Sequence, residues 1–323
     1  MEAAPDSVRR ARPLLGTFVE ITASHVSLAD ASLPDASLAV GSLAELEVAV
    51  EEAFEAVARV HRLMSFHDPA SDLSRLNREA GTNPVTVDAW TFEVLEIAVR
   101  LNRHSAGVFD INVAPALQAL GLLPGVRQYQ VQHQVQDSAS RRIEDAIELL
   151  PGFQVRFRQP CVKIDLGGIA KGFAVDRALD VLRHKGMTQG LVNAGGDLAA
   201  FGPQPQTVYI RNPSNPQRLL CSVRVMDGAL ASSGGRIDLF QASGIANCAI
   251  IDPHTQEPVT AAAGATVAAP TCVVADGLTK VVMIQGADAT PLLDRYGASA
   301  MLVLADGSTC ATSTWHEEER FAT

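Results

Sequence analysis

Two glycine-rich turns carry the most legible chemistry in this sequence. The first lies in IDLGGIAKGFAVD, residues 164–176. An apolar run ends there at Asp165, Gly167 and Gly168 permit a tight turn, and Lys171 falls in the first turn of the following helix. Exposed backbone N–H groups, a helix N-terminus and one ammonium group together suit a phosphate or pyrophosphate. The order Ala-Lys-Gly differs from the Gly-Lys-Ser/Thr of a Walker loop. The second turn, LVNAGGDLAAFG, brings Asn193, Gly195, Gly196 and Asp197 to the end of a strand. Two such turns joined by one helix would cradle a dinucleotide. Either alone serves equally well to pack a strand against a helix.

The elements that must hold these turns are readable in outline. Leu15–Ile21 has the pattern of a strand, and Val162–Gly168 that of a buried strand running into the first turn. Ser42 followed by Glu45 is a capping box that opens a helix to about Leu63, and Asp88 caps another that ends near Gly107. The helix after Gly168 stops at Gly186, and the strand GLVNAGG follows. Gln206–Ile210, Leu219–Val225 and Ser299–Leu304 read as further strands, and Asp276–Ile284 as the start of a helix. Strands and helices mixed without a regular parallel repeat indicate an α+β protein. Residues 1–12 are expected to be a loose tail, 13–323 one domain, and the Ser-Leu-Ala-rich stretch 24–41 a surface excursion.

A net charge of −10 over 323 residues argues against a nucleic-acid partner, whose backbone calls for a basic surface. The five cysteines are scattered without metal-site spacing and read as buried thiols. No apolar run suits a secretory signal at the start or a membrane span elsewhere, so the expected location is cytoplasmic.

From about Arg12 to Gly286 the sequence resembles the FAD:protein FMN transferases of the ApbE type. LLGTFVEI resembles their opening M-G-T strand, with Leu15 in place of Met. MSFHDPASDLSRLNR, VFDINVAPAL, IDLGGIAKGFAVD, NAGGDLAAFG, IIDPHTQEP and ADGLTKVVMIQG follow in the family's order. The resemblance implies an ApbE-like, T-fold-related α+β fold of mixed sheets and helices in two closely packed lobes. It implies that FAD and Mg2+ are bound, and that the FMN half passes through a phosphoester bond to a Thr or Ser of an acceptor protein, with release of AMP. Carried over, the flavin site comprises Leu15, Gly16, Thr17, His67 (where the family has Tyr), Val108, Phe109, Asp110, Asp165 and Lys171. The second turn, with Asn193, Gly195, Gly196 and Asp197, completes it. The metal would rest on the Gly168 carbonyl and Asp276.

Three departures fall on the reaction. The family's metal-binding threonine is Lys280, which shares a helix face with Asp276 four residues earlier. Magnesium favours hard oxygen ligands in octahedral geometry and is repelled by an ammonium group. Three readings stay open. Lys280 is a resident cation against the pyrophosphate, or a plain salt-bridge partner of Asp276, or a metal binds regardless with Thr279, about 100° round the helix, as its ligand. The family's histidine before I-I-D-P is Ala249, with His254 a remote substitute, and its T-S-G-D-Y reads Ser232-Ser233-Gly234-Gly235-Arg236. Catalytic work thus falls to Asp276 and Lys280. A non-catalytic FAD-binding protein, with Lys280 in place of the ion, is the alternative.

Overall fold

A computed structural model of the chain describes residues 7–25, 42–125, 143–234 and 250–321. Arg236, Ala249, Cys248 and nearly all of the 24–41 stretch lie outside the described residues. Strand β1 (Ser7–Leu14) turns into β2 (Thr17–Ser24). Helices α1 (Leu43–Met64) and α2 (Asp72–Glu79), the short β3 (Val85–Thr86) and helix α3 (Ala89–His104) follow. Short helices α4 (Ala114–Ala119) and α5 (Ile143–Ala146) precede the hairpin of β4 (Ile147–Leu150) and β5 (Gln154–Phe157). Helix α6 (Ala170–His184) leads into β6 (Gln189–Ala194), β7 (Asp197–Phe201), β8 (Gln206–Asn212), β9 (Asn215–Val225) and β10 (Gly228–Gly234). The remainder comprises β11 (Ile251–Asp252), β12 (Glu257–Pro258), β13 (Ala262–Ala269), helices α7 (Cys272–Gln285) and α8 (Thr290–Arg295), and strands β14 (Ser299–Leu304), β15 (Thr309–Ala311) and β16 (Glu319–Arg320).

An eight-stranded sheet in the order β1-β2-β6-β7-β10-β13-β14-β15 organises the molecule, and each neighbouring pair is antiparallel. Helices α6 and α7 cover one face and touch each other, with α1 packed on α6. The three-stranded sheet β16-β9-β8 lies on the other face. Leu198, Ile210, Leu220, Val223, Leu230, Met301 and Val303 form a second core between the two sheets. Helices and antiparallel sheets in layers are the α+β architecture the pattern indicates.

The helix signals in the sequence act as local chemistry requires. Ser42 Oγ accepts from Glu45 N at 3.3 Å while Glu45 Oε2 accepts from Ser42 N at 2.8 Å. Asp88 Oδ1 accepts from Trp90 N at 2.9 Å, and Gly186 ends α6 at φ +77°. Four expectations need correction. From Ser7 onward the expected tail is β1, in register with β2 from Ser7↔Ser24 to Leu14↔Thr17. Its arginines made it look unanchored, yet Arg10 and Arg12 pair with Glu47 and Glu51 of α1, and Val8 is buried. Such charge is usual on an edge strand. Leu15 belongs to no strand; with Gly16 it forms the β1–β2 turn at φ +55° and +70°, the left-handed pair a two-residue hairpin demands. Residues 162–166 join no ladder. Asparagine side chains take over the backbone instead: Asn77 bonds both the N–H and the C=O of Ile164 at 2.8 Å, and Asn112 accepts from Lys163 N at 3.0 Å. Cys221 and Cys272 are buried as expected, whereas Cys161 and Cys310 are exposed.

Candidate functional site

Both glycine turns open into one cavity of about 440 Å³. The 164–168 segment reaches it because Asp165 N donates to Ile111 O at 2.8 Å, pinning the segment beside the chain that carries Val108, Phe109 and Asp110. Asp165 Oδ2 then accepts from Gly167 N at 3.0 Å and closes the first turn. The second turn joins β6 to β7, with Gly195 at φ +66° and Gly196 at +103°. A Cβ on Gly195 would sit 3.0 Å from Thr17 Cβ, so only glycine lets β2 approach this closely. Asn193 Oδ1 accepts from Gly196 N at 3.0 Å and fixes the turn.

Two ammonium groups face the cavity, and a buried carboxylate stands behind each. Lys171 pairs with Asp197, and Lys280 with Asp276 Oδ1; both aspartates are 0% exposed. Lys280 Nζ also donates to the Asp276 carbonyl at 3.0 Å, and its stem runs past Gly168, where an added Cβ would lie 3.3 Å from Cε. The other Asp276 oxygen accepts from Gly172 N, in the first turn of α6, at 2.9 Å. Asp176, further along α6, returns the favour. Its two oxygens accept from Cys272 N and Val273 N at the start of α7, each at 2.8 Å. Each helix thus contributes a carboxylate to the other's N-terminal turn, where the backbone N–H groups lack intrahelical partners.

Burial tunes these groups. It opposes the charge on Lys171, but the Asp276 and Asp197 carboxylates outweigh it and hold the ammonium above its ordinary range. Burial and the nearby Asp276 push Asp197 up to about 6, so the pair stays ionic at neutral pH. Asp165 is raised by burial against the opposing Gly167 N–H.

Burial also pushes Asp110 up to about 7, against the opposing hydrogen bond from Asn112 N at 2.7 Å. A carboxyl raised from 3.8 binds its proton more tightly in the folded state. Its contribution to stability is therefore complete below about pH 4 and disappears as pH rises to about 7. The unliganded protein should lose urea resistance over that interval, and Asp110→Asn should flatten that part of the profile. An unchanged profile in the variant would refute the assignment.

Of the residues singled out in the sequence, Leu15, Gly16, Thr17, Val108, Phe109, Asp110, Asp165, Gly168, Lys171, Gly195 and Lys280 line this cavity. Asp197 and Asp276 act one layer back, through their lysines. Asn193 and Gly196 turn toward a neighbouring cavity that shares Gly195 and Ser232–Gly234 with the first. His67 is exposed and outside the lining, though close enough for its charge to bear on Asp165. Thr279 is fully buried and outside the lining, behind Ser233. Its hydroxyl lies 2.7 Å from Ser233 Oγ and donates to the Asp276 carbonyl at 2.7 Å.

Matching against known protein families finds the ApbE family over residues 15–302. The chain belongs to the ApbE family. It is 30% identical over 250 residues to the FAD:protein FMN transferase of Vibrio cholerae serotype O1, covering 75% of each chain. To the FAD:protein FMN transferase of Haemophilus influenzae it is 30% identical over 252 residues, 73% of this chain and 72% of that one. Among solved structures, the ApbE protein of Thermotoga maritima shares the fold with a TM-score of 0.80 at 24% identity, covering 95% of this chain and 97% of that one. The flavin transferase ApbE of Vibrio cholerae matches with a TM-score of 0.74 at 25% identity, with the same coverage.

The ApbE resemblance implies a magnesium ion on Gly168 and Asp276, with Thr279 the substitute for the threonine replaced by Lys280, and the donor set here does not fit one. Asp276 Oδ1 and the Asp276 carbonyl are both taken by Lys280, and Oδ2 by Gly172 N. Thr279 is turned to Ser233. Among the described residues, no group of three or more His, Cys, Asp or Glu side chains could hold a metal. The sequence reading also missed the apolar wall of the cavity, to which Leu117, Leu122, Leu123, Ile250 and Ile284 contribute. Nothing periodic marks Leu122 and Leu123, and they reach the wall through a small cluster with Leu117 and Ile251.

Proposed function

We propose that this chain binds FAD in the two-turn cavity and transfers its FMN half to a Thr or Ser hydroxyl of an acceptor protein, with release of AMP. The observation that carries the reading is the pairing, in one cavity, of two ammonium groups with an extended apolar wall. A flavin dinucleotide has the matching halves, a dianionic pyrophosphate and a flat aromatic ring. The names of the relatives agree with it, and they lend nothing to a purely flavin-holding role. In the reaction the acceptor oxygen bonds the FMN phosphorus as the bond to the bridging oxygen breaks. AMP departs with that oxygen, and the hydroxyl proton is released to solvent. Lys171 and Lys280 would orient the pyrophosphate and offset charge that builds on its oxygens, which is most of what a protein contributes to phosphoryl transfer. The apolar wall would hold the ring and exclude water.

Incubating the chain with FAD and a flavinylatable acceptor domain, then measuring intact mass, tests the proposal. The expected result is one FMN added to the acceptor and a stoichiometric amount of AMP. FAD binding without any mass gain would leave the flavin-holding alternative standing.

A further inference from the structure

We infer that the Lys280 ammonium is the built-in counter-cation of this site, so that FAD binding needs no divalent metal. The inference rests on the FAD reading above and specifies how the pyrophosphate charge is met. Lys280 is held on three sides: by the Asp276 carboxylate, by the Asp276 carbonyl at 3.0 Å, and by the glycine backbone at Gly168, which leaves just enough room for its stem. Its side chain is only 16% exposed, and that exposure is toward the cavity. Every oxygen of Asp276 that could reach a metal is committed to an N–H donor. The Thr279 hydroxyl is committed to Ser233 and the same carbonyl.

Placement points the same way. Lys171 and Lys280 line the cavity while their partners Asp197 and Asp276 are buried behind them, so a pyrophosphate bound there meets the ammonium groups first. A dication placed at the same spot would face both ammonium groups in a partly buried setting, where repulsion is weakly screened. Lysine has a second consequence. An ammonium group on a four-carbon stem cannot be chelated away.

The test is FAD affinity, followed by quenching of flavin fluorescence, in EDTA and in millimolar Mg2+. The wild-type chain should bind equally under both conditions. Lys280→Met should lose about tenfold or more in affinity, the worth of one charge-assisted hydrogen bond, and Mg2+ should not restore it. Lys280→Thr should bind weakly in EDTA and recover when Mg2+ is added. Because Lys280→Met leaves Asp276 unpaired, Lys280→Met/Asp276→Asn guards against a folding defect and should show the same metal-insensitive loss. Wild-type binding that EDTA abolishes and Mg2+ restores would overturn the inference while leaving the FAD reading intact. Unweakened binding by the Lys280→Met/Asp276→Asn protein would overturn it as well. Failure of the wild type to bind FAD under either condition overturns both.

Discussion

Lys171→Met should destabilise the fold by about 3–5 kcal/mol and abolish flavin transfer, two losses with different remedies. Asp197 is 0% exposed, and its Oδ1 has no hydrogen-bond partner among the described residues, so Lys171 on Oδ2 is what makes its charge tolerable. Removing the ammonium group leaves an uncompensated buried carboxylate, and that penalty is larger than the net worth of the pair itself. The carboxylate escapes it by taking up a proton. Burial and Asp276 already push Asp197 up to about 6, and loss of Lys171 raises it further. A raised carboxyl supports the fold below the unfolded value and ceases to as pH climbs through the folded one. The variant should therefore be closest to wild type near pH 5 and furthest from it at pH 8 in urea melts. Lys171→Met/Asp197→Asn should recover most of the stability, since the amide carries no charge to compensate. It should not recover transfer, because nothing returns the cation to the cavity. Wild-type FAD affinity in the double variant would show that Lys171 serves the fold alone.

That separation between fold and cavity also marks how far the sequence can be read. Local devices are legible because their partners lie a few residues apart. The Ser42–Glu45 capping box, the Asp88 cap and the glycine stop at Gly186 are all of this kind. The two glycine turns stand out for the same reason, and their spacing around one helix foretells that they meet. Features closed by distant residues stay hidden. β1 reads as a tail because its arginines find their glutamates on α1, 37 and 39 positions away. The 162–166 segment has the composition of a strand, but Asn77 and Asn112 take up backbone groups that a neighbouring strand would otherwise bond. Lys280 and Asp276 are four apart on one helix face, so their pairing is readable. Which way Thr279 turns depends on Ser233 in strand β10, and no helical spacing could show that.

Gly172→Ala is the sharpest test of how the two helices place that charge. Gly172 lies outside the lining of the two-turn cavity, yet an added Cβ would lie 2.7 Å from the Cys272 carbonyl carbon, 2.8 Å from Asp276 Cβ, and nearer still to the Cys272 oxygen. Two of those neighbours are backbone atoms that no rotamer change can clear. Helix α7 must therefore move off α6, and overpacking of this kind costs about 1–3 kcal/mol. The movement also breaks geometry that side chains alone cannot rebuild. Gly172 N leaves Asp276 Oδ2, and Cys272 N and Val273 N leave Asp176. The reciprocal carboxylates are loosened together, and Lys280 is displaced with the helix that carries it. Because transfer chemistry loses rate steeply with small misplacements, a drop of about 10²-fold in kcat is expected from a methyl group outside the cavity. A structural change confined to stability would leave kcat intact below the melting temperature. A positional one lowers it at every temperature, and Gly172→Ser, with a larger group at the same point, should lower it further. If Gly172→Ala instead transfers FMN at the wild-type rate while melting lower, the helix contact serves packing and the charge is placed by other means.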